Sequence, residues 1–413
     1  MKKVGSLILA MAMLLSLAAC GGGDSKKETK AANAETKAAG AETKAAEGET
    51  KAEGAETKAE GNGDPIHIAI IGPQTGNNAY AGEALFNGAK MVLDAYNEAG
   101  GCNGRLIEYD EYDTKADANE GTIIAQKLVS DDSIVATIGP WSSTVGLAMA
   151  PIIDKAGILM YATSPSHKDL TKASEWVIRQ SPLASCLAYG CADTLLEKGY
   201  THGVYLYDNT NEGAVGGASM FEERFTAGGG TVTTEGYAAG TKDFTPIITK
   251  YKNEGVEFIC MYGATSDSAL ICTQARDLDL DCLIQVNSMA LNDEFNELIA
   301  GLEEIYCCDS YAADYPSDEL QKFVSEYTDS FGKAPIVHAY LAYCAAERFC
   351  EALDKFGPDD MEAVRDYLRN GEQETSLGTL TFVDGDADRP TVWTKYDTEA
   401  GLFKAVTEIP ALQ

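Results

Sequence analysis

From Pro65 onward the apolar residues follow two alternating rhythms. Short apolar runs predict strands at 66–72, 134–139 and 158–161, and residues 106–112 alternate as a further strand. Between them, residues 83–99 have helical spacing, with Ala84, Leu85, Gly88, Val92, Leu93 and Tyr96 on one broad face, and Gly100-Gly101 ends the segment. Helices are also predicted at 116–130 and 144–156. A second series begins after Arg179, with helices at 184–198, 213–227, 244–253, 266–278 and 292–300. Its strands are predicted at 203–207, 231–237, 256–261 and 282–286. Long helices follow at 317–331, 336–355 and 359–370, then short strands at 378–382 and 391–397. Repeated βα units imply parallel sheets covered on both faces. Two series of similar length imply two similar lobes. No low-complexity linker separates them near 180 or 309, so the lobes are expected to pack closely and join through short hinge strands.

The first 64 residues follow neither rhythm. Lys2 and Lys3 precede an apolar run from Val4 to Leu15, which suits a signal peptide over 1–19 and is too short to span a bilayer stably. Leu17-Ala18-Ala19-Cys20 resembles the bacterial lipobox, which implies cleavage before Cys20 and acylation of its sulfur. Two or more acyl chains anchor a protein stably where one is marginal. Glu-Thr-Lys then recurs at 28–30, 35–37, 42–44, 49–51 and 56–58, a period of seven with Ala and Gly as fillers. Without two apolar positions per heptad there is no coiled-coil seam. Residues 20–64 therefore read as a lipidated Cys followed by a flexible linker with a reach of about 35–40 Å.

The 413 residues carry 64 acidic and 32 basic side chains, a net charge of −32. Nine lysines stand against ten acids in residues 1–64, so a net −31 belongs to residues 65–413. That field argues against nucleic acid as a partner and against docking on an acidic membrane through basic patches. Ten cysteines besides Cys20 fit no zinc spacing, and none forms Cys-x-x-Cys. Several sit in apolar runs such as Phe258-Ile259-Cys260-Met261, as small hydrophobes do. Mostly free thiols are expected; disulfides, which export would favour, are the alternative.

Open parallel sheets bind ligands beyond the carboxyl ends of their strands. The strand at 134–139 runs into Gly139-Pro140-Trp141-Ser142-Ser143-Thr144, where a helix starts. Hydroxyls and free backbone N–H groups at a helix start suit a carboxylate, and equally suit plain capping. The next strand ends in Ala162-Thr163-Ser164-Pro165-Ser166-His167, a second hydroxyl-rich turn at the same sheet edge. Trp141 between the two turns is placed to wall an apolar side chain, or simply to pack beneath its loop.

Residues 65–410 resemble the bacterial leucine/isoleucine/valine-binding proteins, extracytoplasmic solute-binding proteins that feed ABC importers. The matching stretches are Ile68-Ala69-Ile70-Ile71-Gly72-Pro73 with Thr75-Gly76, Gly88-Ala89, and Asn97-Glu98-Ala99-Gly100-Gly101-Cys102-Asn103-Gly104. Ile138-Gly139-Pro140-Trp141-Ser142-Ser143, Gly157-Ile158-Leu159-Met160 and Gly240-Thr241-Lys242-Asp243-Phe244-Thr245 continue the series in order. The resemblance implies a type I periplasmic binding protein fold: two doubly wound, Rossmann-like α/β lobes joined by three hinge crossings. Lobe one would comprise 65–180 and 310–382, and lobe two 181–309 and 383–413. It also implies a ligand carboxylate on Ser143, Ser164 and Ser166, with Ser142 beside them and Tyr80 covering the side chain. In the second lobe, Asn287 stands where the leucine-binding type has the acid that holds the ligand's amino group. Glu212 could supply that charge from another side, with Asp267 as a further option.

The implied function is capture of a small solute between the lobes, first of all a branched-chain, aliphatic or aromatic amino acid. Delivery would be to the permease subunits of an ABC importer, by a monomer anchored outside the cytoplasmic membrane through lipid on Cys20. A small carboxylate lacking an amino group, or a ligand-sensing receptor module, are the alternatives. No metal or cofactor is expected. Catalysis is not expected either: His67, His167, His202 and His338 form no His-Glu-x-x-His, and there is no Gly-x-Ser-x-Gly, Walker A or Gly-x-Gly-x-x-Gly pattern.

Overall fold

The structure is a computed structural model that describes residues 63–375, 378–388 and 390–409. The expectations for the signal peptide, Cys20 and the linker up to residue 62 lie outside the described residues.

The chain begins with β1 (Ile66–Gly72), α1 (Ala79–Glu98), β2 (Ile107–Asp113), α2 (Ala118–Leu128), β3 (Ile134–Ile138), α3 (Ser143–Ile153), β4 (Leu159–Ala162) and β5 (Val177–Pro182). It crosses into a second series: α4 (Ala184–Glu197), β6 (His202–Asp208), α5 (Glu212–Ala227), β7 (Thr231–Tyr237), α6 (Thr245–Glu254), β8 (Phe258–Tyr262), α7 (Thr265–Asp277), β9 (Leu283–Val286), α8 (Asp293–Leu298) and β10 (Ile305–Asp309). It then returns through α9 (Asp318–Phe331), α10 (Val337–Phe356), α11 (Met361–Arg369), β11 (Gly371–Thr375), β12 (Gly378–Val383) and β13 (Asp386–Asp388). A third crossing leads to β14 (Thr391–Asp397) and β15 (Leu402–Ile409).

One sheet has the order β11-β12-β13-β5-β4-β3-β1-β2, and the other β15-β14-β10-β9-β8-β6-β7. The βα strands pair in parallel, and antiparallel pairing is confined to the late additions β11–β12–β13 and β10–β14–β15. Because β13 lies in the first sheet, the third crossing falls after Asp388, later than the expected boundary at 382.

Each sheet is buried on both faces, which explains why its central strands read as continuous apolar runs rather than alternating ones. Ile68 and Ile70 of β1 pack toward Leu85, Phe349 and Leu353 of α1 and α10. Their neighbours Ala69 and Ile71 pack the other way, with Val145 and Met149 of α3. In β8, Ile259 and Met261 join one core and Phe258 and Cys260 the other. The ten described cysteines are buried and unbridged, as the apolar runs suggested.

Strand β5 breaks the apolar rule. Arg179, Gln180 and Ser181 are all buried in its middle. Buried polar groups usually persist only when hydrogen-bonded, and each of these three side chains is bonded, although Arg179 Nε finds no partner among the described residues. Arg179, 0% exposed, donates from Nη1 to the His167 carbonyl at 2.7 Å and pairs through Nη2 with Asp386 of β13. Ser181 donates to the Pro165 carbonyl at 2.5 Å, and Tyr161 donates to Gln180 Oε1 at 2.8 Å. The first crossing thus holds the turn after β4 by its backbone carbonyls.

Helices α1 and α10 approach so closely that a Cβ on Gly88 would lie 2.1 Å from the Ala339 carbonyl oxygen. On Gly216 of α5, by contrast, a Cβ would meet nothing within 4 Å. Alanine favours a helix over glycine by about 1 kcal/mol. Overpacking typically costs about 1–3 kcal/mol. Gly88→Ala is therefore expected to lower the unfolding temperature and Gly216→Ala to raise it slightly. Calorimetric melts of the two variants giving the same sign would contradict the packing described.

Candidate functional site

A cavity lies between the lobes. The first lobe contributes Trp141, Ser142, Ser143, Thr144, Ser164 and Ser166 from the turns after β3 and β4, and Val337, His338 and Leu341 from α10. The second lobe contributes Leu187, Asn211, Tyr262 and Ser288. Ser181-Pro182 and Asp309-Ser310, at the first two crossings, complete it.

The two hydroxyl-rich turns meet as the strand-end rule requires. Ser142 caps α3, accepting from the Val145 N–H at 3.3 Å. Ser143 accepts from the backbone N–H groups of Ser166 at 3.2 Å and His167 at 3.3 Å. Its acceptor capacity is thereby used within the protein, and its hydroxyl hydrogen remains to donate. Both turns sit at the N-terminal end of α3, where the helix dipole favours negative charge.

His338 completes this donor wall. The Trp141 Nε1–H approaches His338 Nε2 at 3.2 Å, and Ser164 Oγ lies 3.1 Å from Nδ1. An indole nitrogen only donates, so Nε2 must be the unprotonated, accepting nitrogen. The proton then resides on Nδ1 and is donated to Ser164, whose own hydroxyl hydrogen is left to point elsewhere. Burial depresses the imidazole from its usual 6.5 to about 3, which keeps it neutral.

The lobes touch across the cleft. The Tyr262 hydroxyl bonds with Ser166, and burial raises its pKa, keeping it protonated. A Cβ on Gly213 would sit 3.3 Å from the Tyr262 oxygen and 3.4 Å from Ser166 Oγ, so the start of α5 also closes tightly there.

Of the residues expected to bind ligand, Trp141, Ser142, Ser143, Ser164 and Ser166 are brought together in this cavity. Tyr80 is placed beside it: its hydroxyl bonds with Thr265 and Asn292 of the second lobe, its ring centroid lies 6.5 Å from His338, and it lines a separate cavity with Glu294. Tyr80 is therefore a strut between lobes. Glu212 is exposed and outside the lining, because it is one step along α5 from Asn211. Asn211 faces the cavity as the helix cap, accepting from Gly213 and Ala214 N–H at 2.9 and 3.2 Å, and the next residue turns to solvent. Asp267 is buried beneath the second lobe's loop, accepting from the Gly240 N–H at 2.9 Å. Asn287 accepts from Gly263 N–H at 3.3 Å, and its Nδ2 finds no partner among the described residues. It lines an adjoining cavity that Tyr262 also borders.

Sequence reasoning missed Asn211, Tyr262, His338 and Asp309. Tyr262 ends β8, where the strand-end rule that found Ser143 points, whereas Asp309 ends β10, a strand the apolar pattern does not reveal. Asp309 is 2% exposed and accepts from the Ser310 N–H at 2.6 Å. His338 has no such signal, since it arrives on α10 from far along the chain.

The depressed imidazole has a consequence for stability. Above about pH 6.5 His338 is neutral in both folded and unfolded chains. Below it the unfolded chain takes up a proton that the folded one refuses until about pH 3, so stability falls as pH falls. The loss is at most about 1.4 kcal/mol per pH unit. His338→Gln should flatten the fall of unfolding free energy between pH 6 and 4 by up to that slope. Urea titrations at pH 6, 5 and 4 with parallel trends in both proteins would refute the assignment.

Comparison with known proteins agrees with this geometry. The leucine-, isoleucine-, valine-, threonine- and alanine-binding protein of Pseudomonas aeruginosa is 26% identical over 322 residues, covering 77% of this chain and 86% of that protein. A Streptococcus pneumoniae branched-chain amino acid transporter substrate-binding protein, solved with isoleucine, superposes with a TM-score of 0.77 at 23% identity, covering 84% of this chain and 99% of that one. A Rhodopseudomonas palustris ABC transporter solute-binding protein holding 4-hydroxybenzoate has a TM-score of 0.78 at 16% identity, covering 85% and 98%. The family described as periplasmic binding protein matches residues 65–400. A match over that span, on two lobes closed about a shared cavity, makes this chain a member of the periplasmic binding protein family.

Proposed function

We propose that this protein captures a small carboxylate-bearing solute between its lobes, in the first place an amino acid with an aliphatic or aromatic side chain, and delivers it to the permease subunits of an ABC importer. The observation that carries the reading is the wall of hydroxyl donors formed by Ser143 and Ser164 inside an interlobe cavity. A carboxylate suits such a wall, because hydrogen bonds to a charged acceptor are the strong ones. Leu187, Val337 and Leu341 beside it suit an apolar side chain. The names of the Pseudomonas and Streptococcus relatives point the same way. Ligand that touches both lobes favours the closed arrangement over an open one, and a permease that recognises the closed form thereby recognises the loaded protein. Lipid on Cys20 and the tether to residue 64 would hold the binder, as a monomer, at the outer face of the membrane.

A second reading has a specific observation behind it. Trp141, Tyr262 and His338 give the cavity aromatic walls, and one structural neighbour holds 4-hydroxybenzoate. An aromatic acid without an amino group would use the same donor wall.

The test is a thermal-shift screen of the full chain, unfolded and refolded to strip carried-over ligand, against amino acids and small carboxylates. A ligand at 100 times its dissociation constant adds about 2.7 kcal/mol of stability. A rise with amino acids supports the first reading, a rise only with acids lacking the amine supports the second, and no rise at all overturns both. Ser143→Ala should weaken the binding found by about 1.5–3 kcal/mol in titration calorimetry. Glu212→Gln, changing an exposed residue outside the cavity, should leave it unaltered.

A further inference from the structure

We propose that Asn287 selects solutes whose far end carries a hydroxyl group, by donating to that hydroxyl in the recess that adjoins the capture cavity. This rests on the capture reading above and narrows the class of solute. The recess and the capture cavity share Leu187 and Tyr262. A solute held by its carboxylate on the first lobe's serines, and extending toward the second lobe, therefore meets the recess with its other end. Ala188, Cys191, Gly217 and Cys308 line the recess, and their small side chains leave the space open.

Two buried amides line it as well, and the backbone fixes how each is turned. Asn287 is 8% exposed. Its oxygen faces the Gly263 N–H, from which it accepts at 3.3 Å, because a backbone N–H only donates. Nδ2 is then the opposite corner of the amide, a buried donor with no partner among the described residues. Gln285, 5% exposed, donates from Nε2 to the Val286 carbonyl at 2.7 Å. A carbonyl only accepts, so this amide is fixed too, and its oxygen is the acceptor it brings to the recess. A buried donor left unpaired is costly, and native structures keep few of them. A hydroxyl accepts and donates through one oxygen, which suits a lining that holds both kinds of group. A bare phenyl or alkyl end offers Nδ2 nothing. Between the two ends, the Leu187 side chain and the Tyr262 ring suit an aromatic ring. The class of solute is thus a carboxylate joined through a phenyl ring to a hydroxyl.

Titration calorimetry on the full chain compares three pairs that differ by one phenolic hydroxyl: L-tyrosine with L-phenylalanine, 3-(4-hydroxyphenyl)propanoate with 3-phenylpropanoate, and 4-hydroxybenzoate with benzoate. In at least one pair the hydroxylated member should bind about tenfold or more tighter, since a site built around a hydroxyl rejects the analogue without it. Asn287→Ala should remove most of that preference and leave the plain member's affinity within about threefold of wild type. Gln285→Met, which removes the acceptor and leaves Asn287 in place, should reduce the preference as well, and it carries the test if Asn287→Ala does not fold. A crystal structure of the tighter complex should place the phenolic oxygen within hydrogen-bonding distance of Nδ2. Equal binding within every pair overturns the assignment and leaves capture standing. So does a solute found in the thermal-shift screen while none of these six binds. A preference that survives the substitutions, or a water molecule on Nδ2 with the ligand's hydroxyl elsewhere, overturns it too. If nothing in the screen binds, the capture reading falls and this assignment falls with it.

Discussion

The guanidinium of Arg179 lies wholly inside the protein, between the carbonyl of His167 and the carboxylate of Asp386. The turn bearing Ser164 and Ser166 is bonded to the adjoining strand β5, whose Arg179 and Ser181 donate to the carbonyls of His167 and Pro165. Asp386 belongs to β13, which returns from far along the chain, so the turn is tied to both early and late crossings at once. Breaking a buried ion pair by removing one partner costs about 3–5 kcal/mol, because the remaining charge is stranded. Replacing such a pair with apolar residues is often neutral for stability. What the pair supplies here is placement, since apolar residues would leave the carbonyl of His167 with the Leu170 N–H but no tie to β5.

From that placement the donor character of the cavity follows. Ser143 can lend its lone pairs to Ser166 and His167 only because the second turn is held against the first. Ser164 receives a proton from His338 only because Trp141 claims the other imidazole nitrogen. Each hydroxyl is turned outward by a bond made behind it, which is preorganisation by saturation: the groups left to point into the cavity are the ones the protein has not used.

How much of this could be read in the chain depended on whether apolar burial or polar satisfaction formed each element. Strands β1 and β14 lie at the residues expected, because burial shows directly as Ile, Val and aromatic content. Strands β5 and β10 were not legible as strands: Arg179, Gln180, Ser181 and Asp309 sit buried in or at the end of them, and polar letters read as surface. The first-lobe half of the site, from Trp141 to Ser166, was legible through the strand-end rule. The second-lobe half was displaced by one residue at Asn211 and Glu212, because which member of a helix start faces inward depends on phase rather than on residue type. His338 was visible only as a histidine, since its role depends on two partners 197 and 174 residues upstream.

The buried thiols have a bearing on how the chain reaches its folded state. Desolvation lifts Cys186, Cys272 and Cys282 to about 11, 12 and 11, so at neutral pH these sulfurs are almost entirely protonated. Thiolate is the species that exchanges with disulfides, and buried sulfur is also out of reach. Once folded, the chain is chemically quiet toward oxidants. Before folding it is not: the unfolded polypeptide exposes these ten thiols at their ordinary acidity. Packing therefore competes with oxidation, and the protection is kinetic, given to chains that bury their sulfur before a crosslink forms in the wrong place.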